Sequence, residues 1–175
     1  MPPARRLPRG PTRRSRSKSL RYTVDASVFV NAFNPHEDGH AESLAILTAI
    51  QHGGDPVIVP TLLLPEIASA VARASDDTAG ALQYASATAA LPHLTLVSLT
   101  SVTARQAAEL AATHRLRGAD AVYVAIARRY GTTLVSRDEE QRSRASTVVE
   151  CQTPEDALRS RETPKRTRRS RTEKL

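Results

Sequence analysis

The sequence predicts an α/β domain built on a central, mainly parallel sheet of about five strands flanked by helices. Short runs rich in β-branched residues alternate with longer Ala- and Leu-rich stretches of helical spacing, as expected when helical crossovers join parallel strands. Neither an internal repeat nor a second domain is visible. The length, 175 residues, suits one domain, enough chain to bury about two thirds of its unfolded surface.

The elements follow in order. Residues 22–24 read as the first strand and 26–33 as a helix, with Asp25 between them in an N-cap position. A polar loop around Pro35 leads into a helix over 41–51. Residues 57–59 form the second strand; a helix over 62–74 follows, for which Thr61 is the natural cap, and another spans 77–90. The third strand is 94–97. Helices over 102–114 and 119–130 lead to a fourth strand at 132–135, a fifth at 147–149 and a short last helix at 156–159.

Charge is unevenly placed along this frame. Residues 1–21 hold eight Lys or Arg and no acid, and 159–175 hold eight against Glu162 and Glu173, giving +8 and +6. The whole chain is +7, so residues 22–158 carry −7. We expect a basic N-terminal arm over 1–21, a folded domain over 22–158 and a basic tail over 159–175, both ends without apolar periodicity. Four prolines spoil the amphipathic helix that an organelle transit peptide would need; a start codon placed too early is a second explanation of the arm. The single cysteine, Cys151, excludes an internal disulfide framework and fits a reducing, cytoplasmic setting. No apolar run approaches the ~20 residues that span a bilayer, so no membrane association is expected.

The stretch His36-Glu-Asp-Gly-His40 has the H-E-x-x-H spacing of zinc peptidases. That reading needs His36 and His40 one turn apart on a firm helix, Glu37 as general base and a third ligand elsewhere. Pro35 and Gly39 bracket the motif and mark a loop or a first turn, and His52, His93 and His114 do not repeat the spacing. A polar loop is the expected reading.

More telling is where single acids stand. Asp25 is the only charged residue over 22–36 with His neutral, Glu66 the only one over 57–72, and Asp120 the only one over 118–127. A carboxylate set in apolar sequence needs a partner: a cap, an arginine or a metal ion. Asp25 and Asp120 also suit helix caps, and Asp120 a pairing with Arg117. Glu66, about a turn inside its helix, suits no cap. In open α/β sheets ligands gather outside the carboxyl ends of the strands. Asp25, Glu66 and Asp138 each follow a strand there. Asp120 opens the helix that feeds the fourth strand, which would place it at the opposite edge unless the preceding loop climbs back. Two carboxylates ~4 Å apart repel by about 4 kcal/mol at an effective dielectric near 20. A convergent set would therefore need a cation, and oxygen ligands alone favour Mg²⁺ or Mn²⁺.

Four segments, in order and spacing, carry a resemblance: Val24-Asp-Ala-Ser27, Pro65-Glu-Ile-Ala68, Ala119-Asp-Ala-Val-Tyr-Val-Ala-Ile-Ala127 and Leu134-Val-Ser-Arg-Asp138. Over about 21–158 the chain resembles the PIN-domain ribonucleases, and more narrowly the VapC-type toxins of prokaryotic toxin–antitoxin pairs. The resemblance implies a three-layer sandwich and a metal-dependent endoribonuclease. It maps the catalytic, metal-binding acids onto Asp25, Glu66, Asp120 and Asp138, and supporting hydroxyls onto Ser27 and Ser136. Glu139 and Glu140 stand beside Asp138 and could replace it. The implied cofactor is Mg²⁺ or Mn²⁺; the implied partners are an RNA substrate, a small antitoxin protein and a second copy of the chain. A non-catalytic RNA-binding or interaction module that keeps the acids as caps is the competing class. An aspartyl nucleophile of the phosphatase kind would want a second Asp two residues after Asp25, where Ser27 stands.

Overall fold

The computed structural model describes residues 20–162. Its strands are β1 (Tyr22–Val24), β2 (Val57–Pro60), β3 (Leu94–Val97), β4 (Thr133–Val135) and β5 (Cys151–Gln152). They form one sheet in the order β3-β2-β1-β4-β5, and every neighbouring pair is parallel. The helices are α1 (Ala26–Phe33), α2 (His40–Gly53), α3 (Leu63–Ser75), α4 (Thr78–Ala89), α5 (Ser101–His114), α6 (Gly118–Tyr130), α7 (Glu139–Ala145) and α8 (Pro154–Glu162).

Strand order fixes the layers. The chain steps from β1 to β2 to β3 in one direction, then crosses back to β4 and β5 in the other. Right-handed crossovers therefore place α1 to α4 on one face and α5 and α6 on the other. In agreement, α1 packs on α2 and α3, α3 on α4, and α2 on α8, while α6 lies across β1, β2 and β4 with α5 outside it. Between two helical layers the strands are apolar on both sides: Tyr22, Val24, Val57, Val59, Leu134 and Val135 are all essentially inaccessible. Helix α6 is buried from Ala121 to Ala127 without a break, which is why its sequence lacks a polar face.

The structure corrects the expected frame in several places. The expected fifth strand at 147–149 is instead the turn that ends α7: the amides of Val148 and Val149 both bond to the Ala145 carbonyl, at 2.8 and 3.0 Å. Their apolar side chains pack against the core from that turn, so burial rather than extension explains them. The real β5 is two residues long, too short to leave a pattern. Helix α7 was not anticipated because Glu-Glu-Gln-Arg-Ser-Arg-Ala has no apolar stripe. It is held by the Asp138 cap and by a Glu140–Arg144 pair one turn apart at 2.5 Å. Thr61, expected to cap the helix after β2, does not; Leu62 takes that position without a side-chain bond.

Helix α8 runs on to Glu162 and so takes in residues 159–162 of the expected tail. Arg161 pairs there with Asp55 and donates to the Ala49 carbonyl at 2.8 Å, locking α8 onto the end of α2. Residues 1–19 and 163–175 of the two expected basic ends lie outside the described residues. Among the described residues no helix is long and apolar enough to cross a membrane.

Candidate active site

The strand order reverses between β1 and β4, and the carboxyl ends of the strands at such a switch point are the place where doubly wound sheets hold ligands. Asp25 leaves β1 directly into it. Its amide donates to the Val135 carbonyl of β4 at 2.9 Å, and its Oδ2 accepts the Ser27 amide at 2.9 Å as the N-cap of α1. On the β4 side, the Ser136 hydroxyl accepts the Asp138 amide at 3.0 Å, and the Asp138 carboxylate caps α7 by accepting the Gln141 amide at 2.9 Å. The Ser27 hydroxyl accepts the Arg137 amide at 3.1 Å and so stitches the two sides together. Both serines thus hold backbone that carries an acid.

Glu66 and Asp120 reach the same place from the helices. Glu66 sits in the first turn of α3 and accepts a 2.6 Å bond from the buried hydroxyl of Tyr123, one turn along α6 from Asp120. Asp120 lies at the carboxyl edge, not the opposite one. Helix α6 ends at Tyr130, three residues before β4 opens, and its 13 residues run back some 20 Å along much shorter strands, so its first turn stands beyond their carboxyl ends. Arg117 does not pair with Asp120. It binds Asp138 at 3.3 Å and Glu140 at 2.9 Å, and no hydrogen bond or ion pair among the described residues holds the Asp120 carboxylate.

The electrostatics of the acids reflects this convergence. Burial first, then the charges of Asp25 and Asp138, push the Asp120 carboxyl up to about 6, against the opposing charge of Arg117. Glu66 is raised by burial and by Asp25 and Asp120, against the Tyr123 hydrogen bond. Burial raises Asp25 most strongly among its influences; bonds from Ser27 and Gln141 oppose, and Asp138 adds. These acids feel one another, and burial makes each reluctant to ionise.

An ion of the Mg²⁺ or Mn²⁺ kind fits this donor set by chemistry: hard carboxylate oxygens, an excess of negative charge and no soft ligand. Among the described residues no group of three or more His, Cys, Asp or Glu side chains is arranged so that it could hold a metal ion. Asp25, Glu66 and Asp138 are instead tied to Gln141, Tyr123 and Arg117.

The His36-to-His40 stretch fails the zinc reading. Residues 35–39 are turn and bend, and α2 starts only at His40, so the two histidines do not share a helix turn. Glu37 accepts from the side chains of Asn31 and Asn34, and Arg137 donates to the Asp38 and Gly39 carbonyls, at 2.7 and 3.3 Å. The motif is a loop clamped beside the site. Gly39 is required there: its φ is +75°, and the Arg137 guanidinium occupies the space a Cβ would need. An open depression of about 600 Å³ along α2, lined by Leu44, Thr48 and His52, shares no residue with the carboxylates.

Tyr123, Gln141 and Arg117 were missed as site residues. Tyr123 stands among the apolar positions of a buried helix, Gln141 in a stretch without an apolar stripe, and Arg117 reads as a partner of Asp120 rather than of Asp138. Only the three-to-four residue spacing from Asp120 to Tyr123 and from Asp138 to Gln141 signalled a shared helix face.

With this geometry in place, comparison with known proteins decides the family, since residues 22–146 match the PIN domain. The chain belongs to the PIN domain family. Solved PIN structures share the fold. The VapC20 toxin of Mycobacterium tuberculosis, which cleaves the sarcin–ricin loop, is similar with a TM-score of 0.62 at 19% identity, over 74% of this chain and 97% of that one. The VapBC2 complex of Rickettsia felis, bound to a DNA fragment from its promoter, gives 0.59 at 15% identity over 77% and 98%. FitAcB of Neisseria gonorrhoeae gives 0.58 at 20% identity over 76% and 97%. No curated protein sequence matches this chain. At such identities the likeness establishes the PIN fold alone.

Proposed function

We propose that this PIN domain is a metal-dependent endoribonuclease, the toxin of a toxin–antitoxin pair, working in the cytoplasm as a homodimer whose site a small antitoxin protein covers. The observation that carries the reading is the convergence of Asp25, Glu66 and Asp120 at the carboxyl ends of β1 and β4, each raised by burial and by the charge of neighbouring acids. Packing acids together in this way is unfavourable for folding alone and favourable for holding a cation. Similar PIN structures include a sarcin–ricin-loop-cleaving toxin and toxin–antitoxin complexes, which supports the same class of substrate and partner.

Asp25, Glu66, Asp120 and Asp138 would hold Mg²⁺ or Mn²⁺, which supplies charge at the scissile phosphate and acidifies water for hydrolysis of the phosphodiester. The chain's own groups do the placing. Ser27 and Gln141 fix the two oxygens of Asp25, Tyr123 fixes Glu66, and the Ser136 hydroxyl, accepting the Asp138 amide, fixes the backbone that carries Asp138. The Arg117 guanidinium, 66% exposed at the rim, offers a phosphate the charge it now gives to Asp138 and Glu140. A non-catalytic module with the acids as caps accounts for Asp25 and Asp138, which do cap α1 and α7, but not for Glu66 or Asp120.

The test is a Mn²⁺ titration of chelator-stripped protein against total cellular RNA. Wild type should cleave in proportion to bound metal, and Asp25→Asn should lose at least a hundredfold while staying folded. Full activity in both Asp25→Asn and Asp120→Asn would sink the assignment.

A further inference from the structure

We propose that Gln141 is a positioning residue of this site, holding Asp25 through its amide nitrogen and anchoring a site water through its amide oxygen. The inference rests on the nuclease reading above and adds to it a residue that the four acids and two serines do not include.

Gln141 lies in the first turn of α7 and is 1% exposed. Its Nε2 donates to Asp25 Oδ1 at 3.3 Å, and its backbone amide donates to Asp138 Oδ1 at 2.9 Å. One residue therefore bonds the acids that follow β1 and β4. Its remaining polar atom, Oε1, is fully buried and has no hydrogen-bond partner among the described residues. Leaving a buried acceptor unmatched costs about 1–3 kcal/mol, so an arrangement that keeps one calls for a donor.

Amide geometry narrows what that donor is. With Nε2 committed to Asp25, Oε1 points away from that bond, and ionised Asp25 and Asp138 are acceptors only. No group among the described residues supplies that donor. Water is the donor chemistry the site calls for, since hard divalent ions keep several waters when carboxylates bind them. Glutamine is also suited by its neutrality. A glutamate would add charge to acids that already repel, and an apolar side chain would leave Asp25 Oδ1 without its donor.

The experiment compares wild type with Gln141→Leu and Gln141→Met, the nearest shapes without either hydrogen-bonding group. Two quantities are read: Mn²⁺ affinity of the RNA-free protein by calorimetry or EPR, and steady-state cleavage of total cellular RNA at saturating Mn²⁺. The inference expects variants that fold with melting temperatures at or somewhat below wild type, because the side-chain volume is kept while Asp25 Oδ1 loses its donor. It expects Mn²⁺ affinity to fall about 10- to 100-fold, the usual effect of removing a group that orients a metal ligand. It also expects kcat to fall with KM for RNA unchanged. If either folded variant binds Mn²⁺ and cleaves like wild type, the inference is overturned and the nuclease reading stands. Loss of folding in both variants makes Gln141 a purely structural residue and overturns it too. A wild type that neither binds Mn²⁺ nor cleaves RNA overturns both readings.

Discussion

Asp120 is the acid whose environment differs most from water without a bond to compensate. Its carboxyl ionises at about 6 in the folded chain against an ordinary 3.8. The folded state therefore binds the proton more readily than the unfolded one, so stability falls as pH rises between those values. The cost is fully present above pH 6 and absent below the ordinary value. Asp120→Asn removes it. In metal-free protein we expect the variant to gain about 1 kcal/mol at pH 7, a figure discounted for the half-exposed position, and to gain nothing near pH 4. Thermal melts with chelator across that range check this; an equal gain at both ends would mean the shift has another origin.

At the scale of elements, the loop between α1 and α2 and the helix α8 each do something their sequences did not announce. The loop's histidines are not ligands, so His36→Ala with His40→Ala should leave Mn²⁺ affinity within about twofold of wild type, since neither reaches the carboxylates. Collapse of Zn²⁺ binding in that double variant, with no response to Mn²⁺ in the parent, would restore the peptidase reading. Helix α8 is joined to the domain by Arg161 and Asp55, whose side chains are only 17% and 16% exposed. Removing one member of a buried pair strands the other, so Arg161→Ala should cost about 3 kcal/mol, measurable by urea denaturation. A destabilisation under about 0.5 kcal/mol would show the pair to behave as a surface pair.

At the scale of the whole molecule, the two described ends leave the sheet on the side away from the acids. Arg21, just before β1, accepts the amide of Thr133 where β4 begins, and Arg161, near the end of α8, meets Asp55 just before β2. The segments beyond, residues 1–19 and 163–175, carry +7 and +5. They hold none of the site residues, so on the nuclease reading their positive charge is expected to add affinity for RNA rather than chemistry. Deleting both should weaken RNA binding and flatten its salt dependence, by a slope of about 0.7 for each phosphate of a single strand that the ends no longer neutralise. Cleavage at saturating RNA should persist. Superimposable binding curves across a salt series would make the ends bystanders. The cut belongs after Glu162, because a cut at 159 would also remove Arg161 and confound affinity with stability.

The sequence by itself determined the alternation of strands and helices, the cap at Asp25, and the three acids isolated in apolar surroundings. Each of these is written within a few residues: a period of burial, a polar oxygen just before a helix, a lone charge. The resemblance to PIN domains named the four acids and two serines together because it reads spacing across the whole domain. Tertiary structure alone decided the rest. It put Asp120 on the same edge as Asp25 by running α6 back along the sheet, and gave Arg117 to Asp138 and Glu140 instead of Asp120. It turned an apparent zinc motif into a loop clamped by Arg137, 98 and 99 positions away. It placed Gln141 against Asp25 across 116 positions of chain. Such pairings follow from strand order, a property of the packed sheet as a whole. Residues that meet only through it leave no local trace, and a two-residue strand such as β5 is too short to show its own period.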